Sequence, residues 1–284
     1  MSYPMKKLSA IICLGFCFCA NLLAQSLPSV IDRNNHELKG KVKQLTIREY
    51  RAFINGDQLE KQDLVYTTIF HFFEDGKYQE IEYIDTDSQT KSVYLYFDSI
   101  TLIKWFDGNN EIRTDTIIYN NFGKKIKEVY ADGSFEMVKK TYKYNDQNQL
   151  VEVRHTFAEP EHKQIYTHYK YNTNGQLIEF VEYDNSLHNS QTVYSFEYDT
   201  LGRITQNKKN WSWDDIYHIT QTLYQYNLQG SKSSCIYKES NSSSPRIETY
   251  TYEYDQLGNY VRKNTSCKTP GYSCIEEREI EYYD

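Results

Sequence analysis

Nothing after residue 24 is apolar enough to cross a bilayer as a helix, and the rest of the chain keeps no sustained helical period. An excess of cations is also missing. The 284 residues carry a formal charge of −7, which argues against binding along a phosphate backbone, where a basic face is required. Signatures of catalysis are equally scarce: there is no Gly-x-Ser-x-Gly elbow, no His-Glu-x-x-His helix, no phosphate-cradling glycine loop and no Cys-x-x-Cys pair. Paired acids such as Asp214 and Asp215 are weak grounds for glycoside hydrolysis without a pocket. These absences predict a non-enzymatic protein with no cofactor and no nucleic-acid partner. A compact Leu/Ile/Val composition is lacking too, since 28 Tyr and 13 Phe accompany a mean hydropathy of −0.75. Rings with wet tips in a polar chain suit half-buried strands.

Residues 1–24 read as a signal peptide. Lys6 and Lys7 form its charged start, Leu8 to Ala20 its apolar stretch, and Ala24 a cleavage point. Losing Lys6 and Lys7 takes the charge from −7 to −9. Cys13, Cys17 and Cys19 raise lipid attachment as an alternative, but Phe16 and Phe18 stand where a small residue belongs, so soluble export is favoured. A periplasmic, outer-surface or extracellular location follows, with residues 25–37 as a linker. Three cysteines remain beyond the leader. Cys267 and Cys274 flank a turn-rich stretch that suits a local disulfide across a hairpin, which leaves Cys235 buried, idle or bridging to another chain.

The mature chain is built on a repeat. Tyr142-Lys-Tyr144-Asn-Asp-Gln-Asn148-Gln-Leu150 recurs as Tyr169-Lys-Tyr171-Asn-Thr-Asn-Gly175-Gln-Leu177, Phe196-Glu-Tyr198-Asp-Thr-Leu-Gly202-Arg-Ile204 and Tyr252-Glu-Tyr254-Asp-Gln-Leu-Gly258-Asn-Tyr260. Tyr224-Gln-Tyr226-Asn-Leu-Gln-Gly230 is a further copy, and Phe72, Phe97, Tyr119 and Tyr282 anchor the remaining ones. Successive anchors lie 25, 22, 25, 27, 27, 28, 28 and 28 residues apart. Aromatics at i and i+2 share one face of a strand. The Asn or Asp that follows bonds the backbone two residues on. Three positions later, glycine accepts the left-handed conformation that closes a hairpin with a bulge, Asn148 being the next best residue there. The copy around Phe97 departs from the pattern, with Thr101 at that corner. Each unit is thus a β-hairpin of two strands of about ten residues.

These motifs resemble the YD repeats of Rhs and teneurin proteins, an aromatic, any residue, Tyr-Asp, two residues, Gly and often Arg-Leu. The likeness covers residues 65–284 and is strongest from 117 to 263. It implies an all-β fold: tandem hairpins forming an elongated, curved antiparallel sheet, a partial Rhs-like coil with too few repeats for full enclosure. The Asp-Pro-x-Gly-Leu junction that precedes a released toxin in many relatives is absent. Residues 38–284 then form one YD-repeat domain.

An open sheet has two edges. Leu38 to Ile47, dense in lysine, reads as a strand that discourages edge-to-edge pairing, and Asn55-Gly56 as the turn of a divergent first hairpin over 38–64. Tyr282 and Tyr283 would form the other, uncovered edge, where a second copy could add by edge-to-edge self-association. The connections opposite the Asx-Gly turns vary in length and chemistry, as binding loops do. Trp211 and Trp213, beside Asp214 and Asp215, could stack on a sugar ring while the acids bond hydroxyls; packing over the sheet is the plainer reading. His155, His162 and His168 share a hairpin, but surface histidines are the plainer reading than zinc. Asp85-Thr-Asp87 starts like a calcium loop and lacks its glycine and closing Glu. An outer-membrane barrel is disfavoured because Lys139, Lys140 and Lys143 recur on both strand faces. The function predicted is an exported binding surface for glycan or envelope protein. A self-assembling structural component and an unrecognised glycan hydrolase are the alternatives.

Overall fold

The computed structural model describes residues 38–283 apart from 57, 86–87, 133–134, 159–163, 186–189, 214–215 and 268–272. The signal peptide and most of the linker lie outside the described residues. Alternating polar and apolar side chains form eighteen strands. In chain order these are β1 Val42–Asn55, β2 Gln58–Phe72, β3 Tyr78–Asp85, β4 Gln89–Tyr96, β5 Ile100–Asp107 and β6 Asn110–Tyr119. Then come β7 Lys125–Asp132, β8 Phe135–Tyr144, β9 Leu150–Phe157, β10 Gln164–Tyr171, β11 Leu177–Asp184 and β12 Ser190–Tyr198. The last are β13 Ile204–Trp213, β14 Ile216–Tyr226, β15 Lys232–Glu239, β16 Arg246–Tyr254, β17 Tyr260–Cys267 and β18 Cys274–Tyr282.

The corner residues sit where the repeat places them. Gly175, Gly202, Gly230 and Gly258 have φ of 79–89°, and Asn148, the one non-glycine residue with positive φ among those described, has φ of 60°. At each corner the Asx backbone closes the turn, as where Gly202 N–H donates to Asp199 O at 3.0 Å and Asp199 N–H to Arg203 O at 2.9 Å. The Asp199 carboxylate adds bonds from Leu201 N–H and Arg203 N–H, both at 2.9 Å. A register shift follows at every such turn, as between Glu197 and Tyr198, which is the bulge expected of a left-handed corner. The unit around Phe97 is different. Phe97 N–H bonds Ile100 O across a two-residue turn, and Thr101 lies within β5 opposite Tyr96, which accounts for the short 22-residue step.

Every strand pairs antiparallel with the next, and β18 pairs with β1. The sheet therefore closes into an 18-stranded up-and-down barrel, which corrects the expected open, elongated sheet. Right-handed twist accumulates with each strand, and open sheets beyond about ten strands tend to curl or close. The chemistry of the seam completes the closure. Lys43 bonds Glu281 at 2.7 Å, Arg48 bonds Glu279 at 3.2 Å, and Lys61 of β2 reaches Glu277 at 3.0 Å. The cations near the start of the domain are thus complements to a glutamate row on β18, not a repulsive edge. No open sheet edge remains among the described strands, so the proposed edge-to-edge association loses its template.

One face of each strand is the more buried. On β16, Tyr250, Tyr252 and Tyr254 are half-buried while Thr249, Thr251 and Glu253 are exposed. Side chains converge inside a ring and splay outside it, so the tyrosine face is the inner wall. Tyrosine hydroxyls staple this wall from unit to unit. Tyr171 donates to Leu150 O at 2.9 Å, Tyr198 to Leu177 O at 2.6 Å and Tyr226 to Ile204 O at 2.7 Å. We expect Tyr198→Phe to lower unfolding free energy by about 1 kcal/mol in a urea titration, because it leaves the Leu177 carbonyl without that donor. Two hydrophobic clusters line the same wall near the Asx-Gly turns, one around Leu45, Phe70, Phe72 and Tyr78 and the other around Phe180, Phe196 and Tyr224.

The outer wall carries a second, polar repeat. Lys143 faces Glu152, Lys170 faces Glu179, Glu197 faces Gln206, Gln225 faces Ser234 and Glu253 faces Arg262, always from the residue between the paired aromatics. Lys139 and Lys143 stand on this outer face and Lys140 on the inner one, and such charges interrupt any apolar belt for lipid along the described part of β8.

Candidate inner-wall site

Period-two spacing places a charged residue two positions from its counter-ion on one face. Arg113-x-Asp115, Arg246-x-Glu248 and Glu276-x-Arg278 all follow this rule and point inward, each beside a ring. Asp115 accepts from Trp105 Nε1 at 2.7 Å and pairs with Arg113 at 2.9 Å, and the Arg113 guanidinium lies 4.6 Å from the Trp105 ring. Glu248 accepts from the Tyr250 hydroxyl at 2.7 Å and the Tyr237 hydroxyl at 3.2 Å, with Arg246 stacked 4.2 Å from the Tyr237 ring. Glu276 accepts from Arg278 at 2.8 Å and from Tyr260 at 3.0 Å. Arg278 lies 3.6 Å from the centre of the Tyr260 ring. The i, i+2 spacing of opposite charges is the signal in the sequence that marks these groups.

The fourth group centres on the buried carboxylate of Glu128. Glu128 receives Lys125 at 2.6 Å and the Tyr130 hydroxyl at 2.8 Å, and Lys140 faces it across the strand pair. Burial alone would raise its pKa, yet the Lys125 and Lys140 charges with these hydrogen bonds hold it down at about 2. Three other wall carboxyls go the opposite way, the first being Asp115, which burial raises despite the Arg113 charge. Burial raises Glu182 despite Lys209 nearby, and burial raises Glu49, which accepts a bond from Tyr66 at 2.8 Å.

The predicted sugar platform is only partly in view. Trp211 stands on the inner wall of β13 opposite Thr192 and His218, stacked on the His218 ring with centroids 4.1 Å apart. One of its faces is therefore already covered. The Trp213 side chain, Asp214 and Asp215 lie outside the described residues. Beside Trp211, Lys209 lies over the Tyr194 ring at 5.4 Å.

Other expected sites resolve individually. Cys267 and Cys274 are free thiols, as is buried Cys235. The expected disulfide is not formed, because the register sets Cys274 opposite Thr265 while Cys267 bonds Ser273 through its backbone. His155 pairs with Ile165 on the inner wall and His168 with Glu152 on the outer, so the sheet separates them; His162 lies outside the described residues. Asp85 takes Ser88 N–H at 2.7 Å in an ordinary Asx turn. Ligand atoms of His71, Glu80 and Glu82 come within 4.8 Å of one another on the outer wall, a grouping that sequence spacing did not suggest. Glu80 already holds Lys91 at 3.1 Å there.

A cavity of ≈ 480 Å³ opens at the Asx-Gly end, lined by Lys39, Ser231, Tyr254, Asn259, Tyr260 and Arg278. The start of the domain is tied there, with Lys39 N–H donating to Asn259 Oδ1 at 2.6 Å and Asn259 Nδ2 to Lys39 O at 3.0 Å.

No family model and no curated protein matches the chain. Among solved structures it is similar to a porin-like protein from Bacteroides uniformis, with 12% identity, TM-score 0.44, and coverage of 86% of this chain and 98% of that one. A porin-like protein from Bacteroides vulgatus gives 13% identity, TM-score 0.40 and coverage of 86% and 99%. A chain of the Photorhabdus luminescens Tc holotoxin pore gives 10% identity, TM-score 0.34 and coverage of 88% of this chain and 18% of that one. At these scores the likenesses carry no argument about function.

Proposed function

We propose that this chain is an exported, non-enzymatic YD-repeat barrel of the cell envelope that binds glycan on its inner wall. A round barrel of eighteen strands, spaced about 4.8 Å and tilted about 40°, has a backbone radius of about 18 Å, wide enough for a wet lumen. The observation that carries the reading is the lining of that lumen: rings beside carboxylates and cations on β5–β8, β12–β13 and β15–β18. Sugar rings stack on aromatic faces while their hydroxyls bond charged groups, and this wall offers both at strand-to-strand spacing. The engagement of the wall carboxylates supports a binding role over a catalytic one, since Glu128, Glu248 and Glu276 already bond neighbouring wall side chains.

The test is a glycan array paired with an envelope pull-down, using the parent protein and Trp211→Ala. Binding of oligosaccharides at micromolar concentration, weakened at least several-fold by Trp211→Ala with the fold intact, is expected. Absence of any glycan ligand contradicts the reading, and capture of a single envelope protein in its place transfers the role to protein recognition.

A further inference from the structure

Away from the lumen, β2 and β3 bring three metal-ligating side chains together on the outer wall. His71 lies directly opposite Glu80 in the register, and Glu82, two residues further along β3, shares its face. One ligand atom from each comes within 4.8 Å of the other two, and His71 Nε2 stands 3.6 Å from Glu82 Oε1. Zinc bonded at about 2.1 Å to a tetrahedral set keeps its ligand atoms roughly 3.4 Å apart, so side-chain rotations of about 1 Å complete the set. The strands are already fixed from both sides, since β2 also pairs with β1 and β3 with β4.

The surroundings separate this group from an ordinary surface ion pair. Its side chains are between 22% and 32% exposed, whereas Glu281 and Glu279 at the seam are 53% and 71% exposed. Two residues of β4 hold the carboxylates in place. Lys91 takes one oxygen of Glu80 at 3.1 Å, and Gln89 Nε2 donates to Glu82 Oε2 at 3.4 Å while Glu82 Oε1 faces His71. Outer partners of this kind orient ligands at metal sites. Lys91 neutralises one carboxylate and a neutral imidazole adds no charge, so the three ligands keep one negative charge for a cation to meet. A nitrogen donor beside two carboxylates favours zinc or another late first-row dication over calcium and magnesium, which take oxygen sets. We propose that His71, Glu80 and Glu82 bind one zinc ion on the outer wall, with solvent as its fourth ligand, cross-linking β2 to β3.

Titration of the untagged, metal-free protein with zinc chloride tests this. One equivalent should bind at micromolar concentration and raise the melting temperature by several degrees, whereas calcium chloride should not. His71→Gln and Glu82→Gln should each weaken binding about tenfold or more with an unchanged zinc-free circular dichroism spectrum. Lys91→Met should tighten it several-fold, because a fixed cation beside the ion is removed. Cobalt in place of zinc should show no thiolate charge-transfer band of the kind that Cys235, Cys267 or Cys274 would add. No saturable binding, binding undisturbed by both ligand variants, an equal response to calcium, or a thiolate band overturns the proposal. So does weaker binding in Lys91→Met.

Discussion

Deleting residues 274–284 should turn the closed ring into an aggregating open sheet. Without β18, the inner and outer rows of β1 and β17 lose their partners and expose two long edges at once. Leu45 and Ile275, both fully buried on either side of the seam, would lose their packing, and buried aliphatic side chains of this size contribute about 2–5 kcal/mol each when removed. Multi-angle light scattering should show large assemblies in place of one discrete species. A milder variant isolates the electrostatic part. Reversing the seam cations in K43E/R48E/K61E sets like charges against Glu281, Glu279 and Glu277, all partly exposed, and should cost roughly 1–3 kcal/mol in total. Adding E277K/E279K/E281K should restore most of it. Failure of the second set to rescue the first would mean that the three contacts contribute nothing.

The second large effect lies in the wall. Glu128→Ala leaves Lys125 and Lys140 buried near each other with no counter-charge, and should cost about 3–5 kcal/mol. Glu128→Ala combined with Lys140→Met should recover much of the loss, since it removes one of the stranded charges. The same carboxyl gives a pH signature. Its folded pKa of about 2 lies below the ordinary 4.5, so its contribution is complete above pH 4.5 and disappears as pH falls towards 2. His155 extends the acid sensitivity upward. Burial first, then the Lys140 charge, lowers its pKa from 6.5 to about 4, with Glu128 opposing. A depressed histidine pKa means the unfolded chain takes up the proton more readily. Stability is therefore complete above pH 6.5 and declines through pH 4, by about 2–3 kcal/mol. Glu49 and Glu182, whose pKa values burial raises, favour the folded state on acidification and offset part of this. Urea titrations across this range should show the decline flattened between pH 6.5 and 4 in His155→Gln.

The hairpins were legible because their signals are local. A left-handed corner needs Gly or Asn, an Asx residue needs to precede it, and both lie within seven residues of Tyr171 or Tyr198. The outer-wall pairs were also present in the text of the repeat: when Lys143 and Lys170 give way to Glu253, the partner changes from Glu152 and Glu179 to Arg262. Closure was not legible, because it depends on strand number and on pairing between residues more than two hundred positions apart, such as Leu45 and Ile280. Its only trace was charge complementarity between Lys43 or Arg48 and the Glu277, Glu279 and Glu281 row, which the edge-protection reading mistook for repulsion. Cys267 and Cys274 show a related blindness. Spacing alone brings two cysteines into one hairpin, but the register that sets Cys274 against Thr265 is fixed by the neighbouring strands. The place of Trp211 was not legible: the sequence reads it into a connecting loop, whereas it lies within β13, with one face taken by His218.

Cross-linking at the seam tests closure most directly. In a background with Cys235, Cys267 and Cys274 replaced by serine, Arg48→Cys and Glu277→Cys occupy directly opposed positions on β1 and β18. A closed barrel predicts that mild oxidation joins them within one chain, giving a faster-migrating band, while Arg48→Cys with Glu179→Cys on β11 stays unlinked. If the first pair stays reduced in folded protein, or joins only between chains, the sheet is open and the account fails.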